Sequence, residues 1–150
     1  MIRIQAEPFD PYTELARFAQ RAPGAGAIAN FIGVVRSEGD QVSALTLDHY
    51  PGFTETEIAR IEAQARARFG LIDALVIHRH GRMAPGESIV LVAAAAGHRK
   101  PALQAVDFLM DYLKTDAPFW KREEGQAGAR WIEPRADDRA ARESWEKVKP

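Results

Sequence analysis

The pattern of apolar and polar positions predicts short strands and amphipathic helices that follow one another closely along the chain. Alternating or continuous apolar residues are typical of a strand, and apolar residues three and four apart are typical of a helix. The predicted strands cover residues 2–5, 27–35, 42–49, 74–80, 88–96, 119–123 and 129–133. The predicted helices cover residues 10–20, 54–69, 98–114 and 137–147. Strands in pairs outnumber single-helix crossovers, which favours an α+β fold with a mostly antiparallel sheet.

Local signals refine several of these elements. A polar turn separates the strands at 27–35 and 42–49, and we expect the two strands to form a hairpin. Thr54 followed by Glu57 predicts a capping box for the second helix, and Gly70 is expected to end that helix. The charges of the last helix are expected to form a solvated face.

The helix at 98–114 has one apolar stripe at helical spacing. Its members are Leu103, Val106, Leu109, Met110 and Leu113. Pro101 is expected at the first helical position, where its missing N–H would be unpaired in any case. Lys114 falls within about 20° of Leu103 on the helical projection. We therefore expect Lys114 to leave the helix at the edge of the buried stripe.

Three cationic residues open the same helix: His98, Arg99 and Lys100. A helix N-terminus carries partial positive charge, so cations there are slightly unfavourable. Either an anion bound by the first-turn N–H groups removes the conflict, or the three side chains point into water. The residues of this helix leave both alternatives open.

Composition narrows the class of protein. The chain has 150 residues, which is the size of a single domain (1–150). It has no cysteine, and its net charge of −1 disfavours a general nucleic-acid binder. Disulfides, thiolate metal sites and a cysteine nucleophile are excluded. No membrane span or leader is evident, so we expect a cytoplasmic protein. His78 and His80 share a strand face without a third ligand at suitable spacing, so no metal is expected. No glycine-rich phosphate loop follows a strand, and no cofactor is expected either.

Two lysines and three arginines are candidates for chemistry. Lys114 is either a partly desolvated base or nucleophile, or an ordinary lysine favoured at a helix C-terminus. Lys121 lies between Trp120 and Arg122, and its alternative interpretation is an ordinary surface charge on a short strand. The arginines are possible clamps for phosphate or carboxylate if they converge, which spacing cannot decide. They are Arg36, Arg99 and Arg135.

Several segments resemble the large, catalytic subunit of molybdopterin synthase and keep their order over roughly residues 30 to 135. They are GVVR at 33–36, LTLDHYPG at 45–52, IHRHG at 77–81, GHR at 97–99, MDYLKT at 110–115, APFWKRE at 117–123 and RW at 130–131. The long block from 110 to 123 is the most specific of these.

The resemblance implies an α/β hammerhead fold with a mostly antiparallel sheet and an additional small antiparallel sheet. It also implies an enzyme that transfers sulfur to cyclic pyranopterin monophosphate and so makes the dithiolene of molybdopterin. The sulfur would come from the C-terminal Gly-Gly thiocarboxylate of a small ubiquitin-like partner. Two large subunits would form a homodimer at the centre of a heterotetramer.

The resemblance also implies roles for individual residues. Lys114 and Lys121 would be the catalytic lysines. The substrate-binding residues would be Val34, Val35, Arg36, His98, Arg99, Met110, Arg122, Glu123 and Arg135. Arg135 would serve its own pocket or that of the other protomer. The family commonly has serine after His-Arg, whereas this chain has Lys100 and Pro101, which adds a positive charge.

Two other classes of function remain to be distinguished from a sulfurtransferase. One is a non-enzymatic module that binds a ubiquitin-like tail or a phosphorylated ligand through the same cations. The other is single-stranded nucleic-acid binding through Trp120 and its neighbours, which would depend steeply on salt.

Overall fold

A computed structural model describes residues 1–39 and 41–147, and within these ranges the chain forms eight strands and four α-helices. The strands are β1 (Ile2–Gln5), β2 (Ala27–Val34), β3 (Val42–His49), β4 (Asp73–Arg79), β5 (Gly81–Met83), β6 (Ser88–Ala96), β7 (Phe119–Gly125) and β8 (Gly128–Ile132). The helices are α1 (Pro11–Gln20), α2 (Phe53–Phe69), α3 (Arg99–Thr115) and α4 (Ala136–Lys147). None of these helices is long and apolar enough to cross a membrane.

The described strands form two four-stranded sheets. The first sheet has the order β1-β4-β6-β2, with β1 parallel to β4 and the other pairs antiparallel. The second sheet has the order β5-β3-β7-β8 and is antiparallel throughout. The expected α+β class, with a mostly antiparallel sheet and an additional antiparallel sheet, is confirmed.

The hairpin expected between β2 and β3 is wrong, because the two strands belong to different sheets. β2 pairs with β6 from Ala27 opposite Ala96 onwards, whereas β3 pairs with β5 and β7. The backbone of Val35 donates to the carbonyl of Glu87 at 2.9 Å and accepts from the N–H of Gly86 at 2.8 Å. These bonds hold the end of β2 against the β5–β6 turn, so the following residues cross to the second sheet.

Alternation along the central strands divides the core of the first sheet into two layers, because successive side chains point to opposite faces. Leu75 and Ile77 face α1 and pack with Phe18. Val76 and Val92 face α2 and α3, where the largest buried cluster lies. His78 continues the register of Val76, and so it falls on the face that carries α2 and α3.

Helix α3 buries most of the expected stripe, because Val106, Leu109 and Leu113 are buried, whereas Leu103 is 61% exposed. Phe108 and Tyr112 are buried beside the stripe. The two aromatic side chains shift the centre of the buried face away from Leu103, and Lys114, close to Leu103 in projection, is on the open side as well. Pro101 is the third helical residue and not the first. It is still within the turn whose N–H groups have no partner inside the helix.

The start of α2 also differs from its prediction. Thr54 is fully buried and its hydroxyl accepts from the N–H of Tyr50 at 3.0 Å, so it is not the capping residue. The helix begins after Gly52, whose N–H donates to the Glu55 carboxylate at 2.6 Å. Gly70 ends the helix in the left-handed conformation with φ of 60°, as expected.

Gly26 gives a test of how closely β2 is joined to the start of α3. A Cβ atom at this position would lie 2.1 Å from the carbonyl oxygen of Gly97, which is backbone and cannot rotate away. We expect Gly26→Ala to lower the free energy of unfolding by about 1–3 kcal/mol. Gly24→Ala is the matched control, since nothing lies within 4 Å of its added Cβ. Urea unfolding checks the prediction, and equal stability of the two variants would contradict it.

Candidate active site

A cavity of about 590 Å³ opens between the two sheets, where β2, the end of α3, β7 and the β8–α4 connection meet. Its walls are mainly apolar, as is usual for small-molecule sites, and a few charged groups converge on it. Six residues singled out from the sequence line it: Val34, Arg36, Met110, Lys114, Lys121 and Arg135. These come from four separate stretches of the chain, so their convergence is a property of the fold.

The two lysines enter the cavity from different layers. Lys114 is in the last turn of α3, and its Nζ lies 3.6 Å from Oδ1 of Asp138. Lys121 is on β7, and its Nζ lies 3.9 Å from Oε1 of Glu123. Both side chains are about half exposed, at 53% and 43%. Each ammonium group therefore faces a carboxylate and remains accessible from the cavity.

Two arginines add to the positive charge. Arg36 follows β2 and donates to Glu38 at 2.8 Å, and Arg135 lies just before α4. Both are exposed, and both line the cavity within this one chain. Among the described lining residues four are cationic and two, Glu133 and Asp138, are acidic. The cavity is therefore positively charged although the chain has a net charge of −1.

His98 and Arg99 do not reach this cavity. They lie at the first turn of α3, and the helical rise puts Arg99 about 22 Å along the axis from Lys114. Both side chains are exposed, and His98, the N-cap residue, makes no capping hydrogen bond with its side chain. A single chain thus does not bring these two residues together with the lysines, contrary to the expectation of one shared pocket.

Three other expected binding residues are not among those that line the cavity. Val35 is buried and packs with Leu45 and Met83 in a small apolar cluster. Arg122 alternates with Lys121 on β7, and its guanidinium lies 5.9 Å from the ring centre of Trp131. Glu123 shares the face of Lys121 and forms ion pairs with Lys121 and with Arg130 of β8. Neither Glu123 nor Arg130 is among the residues that line the cavity.

Asp138 lines the cavity, and no pattern in the amino-acid sequence predicted this. It is in the first turn of α4, a helix that had been expected to present a solvated face. Arg142 bonds to Asp116 at 2.9 Å, and the indole N–H of Trp145 donates to Asp111 at 2.7 Å. These contacts dock α4 on the last turns of α3 and carry Asp138 to Lys114.

His78 also lines the cavity, although the sequence did not mark it for this site. Its ring stacks on Phe119 with 4.0 Å between centres, and Nδ1 lies 2.8 Å from the carbonyl oxygen of Arg79. A carbonyl only accepts, so Nδ1 carries the hydrogen. Burial, and secondarily the nearby His49 and His80, lowers the pKa of His78 to about 4 despite that hydrogen bond. The imidazole is therefore neutral near pH 7.

No group of three or more histidine, aspartate or glutamate side chains within residues 1–39 and 41–147 is placed to hold a metal ion. The site consists of lysine, arginine and one neutral histidine, with carboxylates beside the lysines. Such groups bind anions and move protons or stabilise developing negative charge.

A family model described as MoaE protein matches residues 4–116. The chain belongs to the MoaE family. The MoaE-family relatives include proteins named molybdopterin synthase catalytic subunit from Cereibacter sphaeroides and Pseudomonas aeruginosa. The first is 51% identical over 144 residues, covering 96% of this chain and 99% of the relative. The second is 46% identical over 147 residues, covering 97% of this chain and 98% of the relative.

Solved structures agree with this assignment. A molybdopterin biosynthesis MoaE protein from Burkholderia ambifaria superposes with a TM-score of 0.83 at 46% identity and covers 99% of both chains. A molybdopterin synthase from Staphylococcus aureus gives a TM-score of 0.77 at 28% identity, over 87% of this chain and 95% of the other. The resemblance inferred from the sequence motifs is confirmed. Because these relatives match nearly the full length of both chains, this MoaE-family chain is a catalytic subunit of the molybdopterin synthase type, with a sulfurtransferase activity.

Proposed function

We propose that this chain, acting as one domain over residues 1–150, transfers sulfur from the C-terminal thiocarboxylate of a small ubiquitin-like partner to cyclic pyranopterin monophosphate. The product is the dithiolene of molybdopterin. The observation that supports this most directly is the convergence of Lys114, Lys121, Arg36 and Arg135 on one cavity. We propose the cytoplasm as its compartment, which suits the bacterial biosynthetic relatives.

The charge of the cavity suits both reactants. The substrate carries a cyclic phosphate and the partner tail ends in an anion, and arginine binds such groups with a fixed fork of donors. Arg36 and Arg135 are exposed arginines at the cavity and would orient the phosphate or the tail. Binding both reactants together makes the transfer effectively intramolecular.

Lys114 and Lys121 are the groups available for the chemical step. Once the sulfur is bonded to the pterin, water must cleave its bond to the acyl carbon, so that the tail leaves as a carboxylate. Negative charge develops on the acyl oxygen in this step, and an ammonium beside it acts as a general acid or stabilises the oxyanion. The chain has no cysteine, so the sulfur stays on the partner until it is transferred to the pterin. The dithiolene has two sulfurs, which requires two loaded partners in turn.

We further propose that His98 and Arg99 act in the cavity of the second protomer of a homodimer. Within one chain they are about 22 Å along α3 from Lys114, yet they are exposed and open a helix that has no acidic residue in its first turn. In a twofold dimer the same surfaces meet reciprocally, so each protomer would complete the site of the other. Lys100 would add one more cation at that junction.

Mixed dimers test this sharing of residues. Lys114→Ala chains and His98→Ala/Arg99→Ala chains are each expected to be nearly inactive as homodimers. Unfolding and refolding the two together in equal amounts should restore about a quarter of wild-type activity, because half of the dimers are mixed and each has one intact site. Activity that stays at the level of the separate variants would contradict the shared site. Wild-type chains taken through the same refolding provide the control.

A single-turnover assay tests the proposed function itself. The chain is mixed with thiocarboxylated partner and cyclic pyranopterin monophosphate, and the dithiolene product is detected by mass spectrometry. Product that forms in proportion to loaded partner supports the enzyme. Tight binding of the partner without any product would favour the non-enzymatic module, and salt-dependent binding of single-stranded nucleic acid would favour the third class of function.

A further inference from the structure

Asp138 makes two different contacts through its two carboxylate oxygens. Oδ1 lies 3.6 Å from Nζ of Lys114, on the neighbouring helix. Oδ2 accepts the backbone N–H of Arg135 at 3.2 Å, at the start of α4. One oxygen thus fixes the carboxylate to its own helix, and the other is left to face the lysine. The side chain is 25% exposed and lines the cavity.

Helix α4, which carries Asp138, is docked on α3 by contacts with one residue before Lys114 and one residue after it in the sequence. Trp145 donates to Asp111, three residues before Lys114, at 2.7 Å. Arg142 bonds to Asp116, two residues after it, at 2.9 Å. Trp145 also packs edge-on against Phe108 with 5.5 Å between ring centres. The position of Asp138 relative to Lys114 is therefore set by contacts that do not involve either residue.

We propose that Asp138 is a positioning residue that holds the Lys114 ammonium group in place for sulfur transfer. A lysine side chain has four rotatable bonds and three N–H donors. The Asp138 carboxylate lies at ion-pair distance from the ammonium group, so its charge restricts the swing of the ammonium, and the N–H donors stay available to the substrate or the acyl oxygen. The inference rests on the proposed function, since it requires Lys114 to act in the reaction.

The alternative role for Asp138 is purely structural, as an acidic residue that favours the N-terminus of α4. A partly exposed ion pair adds little to stability, so the two roles differ in what a substitution should change. A substitution at Asp137 distinguishes the positioning role from the structural role, because Asp137 is in the same first turn as Asp138 and has the same charge. Asp137 is exposed and is not among the residues that line the cavity.

The test compares Asp138→Asn, Asp138→Glu and Asp137→Asn in the full chain assembled with thiocarboxylated partner. Asp138→Asn is expected to lower the turnover rate about tenfold with KM changed less than about twofold, since a misplaced group costs mainly the chemical step. Asp138→Glu should recover part of the rate, and Asp137→Asn should match wild type. All three should have the same melting temperature.

Each contrary outcome has a defined meaning. Equal rates for Asp138→Asn and Asp137→Asn overturn the proposal, as does a rate loss that is matched by a fall in melting temperature. A loss confined to KM also overturns it, because that would make Asp138 part of substrate binding. The proposed function is tested separately by Lys114→Ala. If that variant is inactive while Asp138→Asn works at the wild-type rate, only the positioning role fails.

Discussion

Lys114→Ala is expected to lower the single-turnover rate of molybdopterin formation by about 100-fold or more, while partner binding and the melting temperature stay unchanged. The loss follows from removing the ammonium group that would act on the transferred acyl group. Stability should be kept because the Lys114 side chain is 53% exposed and its contact with Asp138 is a partly solvated ion pair.

The measurement is product formation from preloaded partner, with partner affinity determined separately by calorimetry. Lys147→Ala is the matched control, since it removes an exposed lysine from the last turn of α4, at the opposite end of the helix from Asp138, and Lys147 is not among the residues that line the cavity. Normal product formation by Lys114→Ala would remove this lysine from the chemistry. Lost partner binding would instead place it in the docking surface for the tail.

His78 is expected to make the protein less stable as the pH falls from about 6.5 to about 4. In this window the unfolded chain takes up a proton on His78, whereas the buried, folded imidazole stays neutral. The unfolded state therefore binds more protons, and the free energy of unfolding falls as the pH is lowered. Two and a half pH units correspond to a loss of about 3 kcal/mol. Below about pH 4 both states are protonated at this site and the loss is complete.

Urea unfolding at a series of pH values checks this effect. His78→Gln is neutral throughout and should remove most of the slope between pH 6.5 and pH 4. A smaller slope should remain from His80, whose pKa is also lowered by burial. His98→Gln, at an exposed cap residue, is the control and should keep the full slope. The same slope in wild type and His78→Gln would refute the assignment.

Elements with strong periodicity were predictable from the sequence, and pairings between distant strands were not. The bounds of β3 and β6 agree with their prediction, because alternation and turn residues are local signals. The pairing of β2 was missed because sequence neighbours were assumed to pair, whereas its partner β6 is more than fifty residues away. Local patterns contain no information about which apolar strand completes a sheet.

The residues of the candidate site were also predictable only in part. The lysines were found because a specific motif contains them, and their convergence with Arg36 and Arg135 needed the fold. Asp138 was missed because an acidic residue in the first turn of a polar helix is common and has no distinctive spacing. His98 and Arg99 were grouped with the lysines, although one straight helix separates them. Periodicity assigns a residue to a face of an element, but it does not place separate elements next to each other.

The stack of His78 on Phe119 has a mechanical consequence for the enzyme. His78 is the penultimate residue of a strand in the first sheet, and Phe119 begins the strand of the second sheet that carries Lys121. Lys114 is on a helix that covers the first sheet. The distance between the two ammonium groups therefore depends on how the two sheets pack against each other, and the stacked rings of His78 and Phe119 are a contact between these sheets. Sliding of one sheet past the other at this contact would change the distance between the lysines without a change in either side chain.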